Sequence, residues 1–208
     1  ILEKAIHLAK SGRPGPCWID IPVDVQGMMI DEEKLPGYKL YDDATPKVIY
    51  NIAKQVLTTI KWSKRPVILV GPAVRSSGAL GVFSELIDLL NIPVVTAFNA
   101  HDAIESDHWL YFGRPGTVGD RGGNFVVQNS DLLLVLGCRL DIRQIGYNFK
   151  AFASEAIKIV VDIDDAELQK HTISPCLQIN ADVSDFLREL LASLGGNPLE
   201  HKTKWIEW

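Results

Sequence analysis

The strongest constraint in this sequence is a series of five short apolar runs, 67–70, 93–96, 132–136, 157–162 and 177–180, separated by segments of helical period. A strand buried on both faces reads as a continuous apolar run, and such strands belong to parallel sheets covered by helices. The intervening segments supply the helices. Behind Thr45-Pro46, which reads as an N-cap followed by proline at the first helical position, Val48, Ile49, Ile52, Ala53, Val56, Leu57 and Ile60 recur at helical spacing. Leu80, Phe83, Leu86, Ile87 and Leu90 form a second such face, with Ser76 or Ser77 as its cap. A third helix is predicted over 120–129, a short turn over 165–170, and a last helix along Val183, Phe186, Leu187, Leu190, Leu191 and Leu194, capped by Asp182 or Ser184. Strands alternating with helices predict an α/β fold: a doubly wound, mainly parallel sheet with helices on both faces.

The runs end alike, and all of their ends lie on one edge of such a sheet. The exits read Gly71-Pro72-Ala73, Thr96-Ala97, Gly137-Cys138-Arg139 and Asp162-Ile163-Asp164. Ligands of open α/β sheets bind outside the carboxyl ends of the strands. A glycine turn with capping serines offers N–H groups to an anion. Arg139 and Arg143, with Asp141 between them, offer guanidinium forks suited to phosphate. An acidic residue such as Asp162 can accept ribose hydroxyls. Any doubly wound domain has glycines and charges at its strand ends, so each exit alone favours a plain strand exit. Four in one sheet point to a nucleotide cleft. No GxGxxG motif accompanies them.

The catalytic inventory is thin. His7, His101, His108, His171 and His201 are scattered, none at metal-ligand spacing with another ligand, so no metal site is predicted. Cys138 beside Arg139 reads as a small buried residue, with no histidine near it to act as a base. No nucleophile elbow or Walker A loop is present. The net charge of −5 gives no electrostatic case for nucleic acid or an anionic membrane. Cys17, Cys138 and Cys176 form neither a CxxC pair nor an even framework, which fits a reducing, cytoplasmic setting. The apolar runs are far shorter than the roughly 20 residues of a membrane span.

The amino-terminal part reads differently. Residues 1–10 have a helical apolar face of Ile1, Leu2, Ile6, Leu8 and Ala9, 17–21 read as a strand closed by Pro22, and 23–30 continue extended. Residues 31–43 lack periodicity and contain Pro36 and Gly37, the composition of a linker. The absence of an initiator Met and the polar tail after Gly195-Gly196 suggest a piece of a longer protein.

Several stretches resemble thiamine-diphosphate-dependent enzymes of the acetolactate synthase type: GRPGPCWIDIPVDVQ at 12–26, RPVILVGPAV at 65–74, FGRPGTVGDRGGNFVVQNSDLLLVLGCRLDIRQIG at 112–146 and KIVVDIDDAEL at 158–168. The resemblance implies that 1–30 close a pyrimidine-binding domain, 31–44 form a linker, 45–195 form the central domain, and 196–208 lead to a diphosphate-binding domain. It implies a parent that decarboxylates a 2-oxo acid and joins the product to a second carbonyl, working as a homo-oligomer with thiamine diphosphate and magnesium held by the other domains. For this chain it implies a scaffold role, no catalytic residue, and a central domain of a kind that binds FAD in some members, ADP in others and no nucleotide in the rest. The residues that match the family's nucleotide contacts are Gly71, Pro72, Ala73, Thr96, Ala97, Thr117, Val118, Gly137, Arg139, Asp141, Arg143, Asp162, Ile163 and Asp182. Two departures stand out: Val118 where FAD-binding members usually carry histidine, and Pro72-Ala73 in place of two glycines. The alternative reading is a stand-alone nucleotide-binding or interaction module without catalysis. An NAD-dependent deacetylase-like enzyme shares only the sheet type.

Overall fold

The computed structural model of the chain describes residues 1–39 and 50–199. The chain divides into two compact units, Ile1–Thr45 and Pro46–Trp208.

The first unit holds helix α1 (Leu2–Lys10), a single helical turn α2 (Val23–Gln26) and a short 3-10 turn at Glu32–Lys34, none with a buried residue. Two expectations change here. The segment 17–21 is extended but forms no strand, because every strand of the described residues belongs to the sheet of the second unit and none pairs with this segment. The segment after it does not continue extended. Pro22 takes the N-cap position of α2 and accepts the Gln26 N–H at 3.1 Å, while Gln26 Nε2 donates to the Ile21 carbonyl at 2.8 Å. Proline's fixed φ is already helical, which is why it starts a turn well.

The second unit is the predicted doubly wound α/β domain. Its described residues run α3 (Tyr50–Trp62), β1 (Pro66–Val70), α4 (Ala73–Ser76), α5 (Leu80–Leu90), β2 (Val94–Thr96), α6 (Arg121–Gln128), β3 (Leu132–Leu136), α7 (Ile142–Ile145), β4 (Ile157–Asp162), α8 (Asp165–Leu168), β5 (Leu177–Asn180) and α9 (Val183–Leu194). The Thr45-Pro46 cap and the positions Val48 and Ile49 lie outside the described residues. The five strands pair in the order β2-β1-β3-β4-β5, all parallel. Every residue of β1, β2 and β3 is buried, as the uninterrupted apolar runs require.

Alternate side chains feed two cores. One layer packs Ile68, Val70, Leu134, Leu136, Ile159 and Val161 against apolar residues of α3, α5 and α9; the other packs Val67, Leu69, Leu133, Val135 and Val160 against Val126, Val127, Ile145 and Leu168. Helices therefore cover both faces, and the described residues of the stripes predicted for α3, α5 and α9 all pack into the first core. Burial of this kind contributes about 1.5–3 kcal/mol for each large apolar side chain.

One further local expectation is corrected. Ser76 and Ser77 do not cap α5. Ser76 ends α4, Ser77 follows it, and both hydroxyls turn back to the carbonyls of Ala73 and Val74 at 3.3 Å. Ala79 occupies the N-cap of α5, too far along the chain for either serine to reach its first turn. The segment 98–117 includes a short extended stretch. Its 110–113 portion runs beside β2: Val94 N–H donates to Leu110 at 2.8 Å, Phe112 N–H to Val94 at 2.9 Å, and Thr96 N–H to Gly113 at 3.1 Å. The outer edge of β2 is thereby covered.

Candidate functional site

The strand order reverses between β1 and β3. In doubly wound sheets that switch point opens a crevice at the carboxyl ends of the strands. The crevice floor is set by two glycines. A Cβ on Gly71 would lie 2.6 Å from the Cys138 Cα and closer still to the Gly137 carbonyl, while a Cβ on Gly137 would run into Ala73. Gly137 also has φ +55, a conformation that other L-residues resist. The two strand ends are thus packed backbone on backbone. The N–H groups of Gly71, Ala73 and Val74 donate to Leu136, Gly137 and Gly71 carbonyls at 2.8, 3.4 and 3.4 Å, and Pro72 has none to give. The first exit joins Gly71, Ala73 and Gly137 but presents its donors inward.

Beyond Gly137 the chain turns sharply. Cys138 is buried, its Sγ donates to Gln144 Oε1 at 3.0 Å, and burial pushes the thiol up to about 12. It is a packing residue, as its neighbours in sequence implied. Leu140 sits at φ +51 with its side chain buried. Asp141 caps α7, accepting the N–H groups of Arg143 at 2.9 Å and Gln144 at 3.2 Å. Arg139 and Arg143 are left exposed on either side of this turn. Arg139 Nε lies 2.7 Å from Glu167 Oε1, and Lys170 Nζ lies 3.1 Å from the other oxygen of Glu167. Among the described residues the Arg143 guanidinium has no carboxylate partner.

The loop 113–119 is fastened over the same edge. Asp120 accepts the Arg114 N–H at 2.9 Å and its Nε at 3.3 Å, which holds the Asp120 carboxyl below the usual carboxylate range. Asn124 makes a two-way clasp on Gly116, accepting its N–H at 2.9 Å and donating to its carbonyl at 3.0 Å. Thr117 then donates both its N–H, at 2.8 Å, and its hydroxyl, at 3.0 Å, to the Arg143 carbonyl. Val118 stands at the tip, fully exposed. Sequence reasoning singled out Thr117, Val118 and Arg143 but missed Asp120 and Asn124, which set the loop. Their spacing on one helical face, four apart across the first turn of α6, was the available signal.

The remaining exits differ. Thr96 and Ala97 are buried, and the Thr96 hydroxyl lies 3.2 Å from the Tyr111 hydroxyl, turned into the domain. The Asp162 carboxylate is buried and accepts the Asp164 N–H at 2.9 Å, while its carbonyl accepts the Ala181 N–H at 3.1 Å. The Ile163 carbonyl takes Asn180 Nδ2 at 3.1 Å. Asp182 caps α9 through the Ser184 N–H at 2.7 Å. The exits of β4 and β5 are therefore knitted to each other, as those of β1 and β3 are. Any phosphate here would meet arginine side chains, since the backbone donors of the first exit are spent. Among the described residues no group of three or more His, Cys, Asp or Glu is placed to hold a metal ion. No helix among them is long and apolar enough to cross a membrane.

This geometry defines the class: a doubly wound, all-parallel α/β domain with its crevice at the β1/β3 switch point. Residues 53–190 match the family described as thiamine pyrophosphate enzyme, central domain, and the chain belongs to that family. Among curated proteins it is 38% identical, over 98% of its own length, to the probable acetolactate synthase large subunit of Methanocaldococcus jannaschii. It is 36% identical over 95% of its length to the acetolactate synthase isozyme 1 large subunit of Escherichia coli, and 35% identical over its whole length to acetolactate synthase 1, chloroplastic, of Zea mays. The chain covers 35%, 34% and 32% of these relatives, about a third of each. The resemblance to the acetolactate synthase type therefore holds over essentially the whole chain.

Proposed function

We propose that this chain is the middle third of an acetolactate synthase-like enzyme that decarboxylates one 2-oxo acid and joins the product to a second. In this reading 1–30 close a pyrimidine-binding domain, 31–44 link it to the central domain at 45–195, and 196–208 lead to the diphosphate-binding domain. Thiamine diphosphate, held with magnesium by those other domains, supplies the electron sink for decarboxylation. The residues described here take no part in bond-making. They hold the flanking domains and carry a nucleotide, FAD or ADP, across the crevice.

The observation that carries the nucleotide reading is the fastening of loop 113–119 to the Asp141–Arg143 turn over the switch point. That arrangement sets Arg143, which has no carboxylate partner among the described residues, at the rim, with Arg139 oriented by Glu167 across the turn. Both guanidinium groups would meet phosphate. Asp162 would take a ribose hydroxyl.

Calorimetric titration of the purified chain with FAD and with ADP tests this. Binding of either is expected, weakened about tenfold by Arg143→Ala, the loss of roughly one charge-assisted hydrogen bond. No heat with either nucleotide would overturn the nucleotide role. The parental activity is tested separately. The full reading frame, with thiamine diphosphate and magnesium, is expected to form acetolactate from pyruvate, and the present chain to form none.

A further inference from the structure

Glu167 stands between two cations. It lies on α8, the single turn after β4, and its side chain is only 11% exposed. Its Oε1 is 2.7 Å from Arg139 Nε at the exit of β3, and its Oε2 is 3.1 Å from Lys170 Nζ. The turn that carries Glu167 and leads into Lys170 is fixed on three sides. The Asp164 carboxylate accepts the Ala166 N–H at 3.0 Å, the Leu168 side chain is buried, and Gln178 Nε2, from β5, donates to the Leu168 carbonyl at 2.8 Å. Lys170 is partly buried, whereas the Arg139 side chain is 67% exposed and meets Glu167 through Nε, the guanidinium nitrogen nearest the chain. The surroundings are otherwise acidic: Asp162, Asp164 and Asp165 follow one another at the exit of β4, and Asp141 follows that of β3. Burial dominates the rise of the Cys138 thiol, and among the charges that act on it Lys170 opposes the rise while Asp141 and Asp162 add to it. The Lys170 charge is thus felt at the β3 exit, next to Arg139.

We propose that Lys170 is a positioning residue of the nucleotide site: by holding one oxygen of Glu167 it lets the other fix Arg139 without using up the charge that Arg139 offers to a phosphate. The inference rests on the nucleotide reading of the crevice. An arginine paired with a carboxylate alone is neutralised, and a phosphate must then compete with that carboxylate for the guanidinium. Here two cations share one carboxylate, so one positive charge is left over, and it lies on the exposed member of the trio. A mostly buried carboxylate is costly unless it is paired, and Lys170 supplies the second half of that pairing. Holding the guanidinium also has a use. An arginine side chain carries considerable rotamer freedom, and one already fixed at Nε loses less of it when a phosphate arrives.

Calorimetric titration of the whole chain and its variants with ADP and with FAD tests the role of Lys170. Lys170→Met is expected to weaken binding about fivefold, the scale of one partly screened charge pair, and Lys170→Arg to keep the parent's affinity. Adding Glu167→Gln to Lys170→Met should recover most of the loss, because the carboxylate left unbalanced is then gone. Adding Lys170→Met to Arg139→Ala should weaken binding no further, since Lys170 acts through that arginine. A merely structural lysine would show neither the recovery nor the non-additivity. Thermal melts of each variant check the fold, and Lys170→Gln carries the same expectations if the methionine variant unfolds. A Lys170→Met chain that binds like the parent, a loss that Glu167→Gln fails to recover, or losses that multiply with Arg139→Ala would each overturn the role of Lys170 and leave the nucleotide reading standing. A parent chain that binds neither nucleotide would overturn both.

Discussion

Helix α1 in the first unit carries Ile6 and Leu8 on its apolar face, and they remain 49% and 46% exposed. Helix α9 in the second presents Phe186, Leu187 and Leu190 in the same periodic way, and all three are sealed from water. The local signal is equally clear in both. It specifies a helix in both. What differs is a second layer: α9 has the sheet to cover, and the first unit holds no sheet at all among its described residues. An apolar period thus predicts an element and a face; whether the face becomes core depends on the rest of the fold.

Substitutions of one kind in the two units should expose that difference. Leu134→Ala, in the central strand, is expected to cost about 3 kcal/mol in chemical denaturation, because it opens a cavity between two packed layers. Leu8→Ala should change the same transition by less than about 0.5 kcal/mol, since there is no core to lose. A large effect at Leu8 would break the comparison. Gly71→Ala tests the backbone contact beneath the crevice. Its methyl must displace Gly137 and Cys138 backbone, at a cost of about 2 kcal/mol. Asp182→Ala should cost about 1 kcal/mol, the ordinary value for a lost helix cap.

Two gentler probes sharpen the picture. Iodoacetamide should label the exposed Cys17 and Cys176 in the native protein and spare Cys138, whose thiol is buried and pushed up to about 12. Unfolding should make all three equivalent by mass spectrometry. The Asp120 carboxyl is held below its ordinary 3.8 by the Arg114 N–H and guanidinium. A folded-state value below the unfolded one adds stability above the unfolded range and loses it as pH falls through the folded value. Asp120→Asn should therefore flatten the acid limb of the stability profile below about pH 4, with little change in its shape near neutrality.

Much of the sheet was legible. The bounds of β3, β4 and β5 coincide with their apolar runs, and β1 and β2 shift by one residue. Strands buried on both faces leave little else for such runs to be. The last helix, its Asp182 cap and the packing role of Cys138 were legible for the same local reasons. Non-local facts were not. Nothing local says that β1 neighbours β3, or that Gly71 faces Gly137. The segment 110–113 contains Tyr111 and Phe112 just before a glycine-rich loop and borrows its extended form from β2, so it carries no period of its own. The sequence 17–21 erred the other way: strand-like residues with no strand beside them. At the candidate site the arginines could be read from their spacing. The clasp by Asp120 and Asn124 left only their spacing of four as a signal, because the contact itself depends on how a loop folds back on the helix that follows it.

The order of the strands also sets an order in time. Val70 has Leu136 for its central neighbour, and Thr96 on its other side. During synthesis β1 and β2 emerge first, as two sticky apolar segments that can find each other but cannot complete the sheet. The ribosome must deliver the whole of 97–136 before the middle of the domain can close. Pairings between such distant residues slow folding, because the loop must be drawn in before any contact repays it. A nascent chain halted before Leu132 should therefore be a client for chaperones that hold apolar strands, and one released after Leu194 should not.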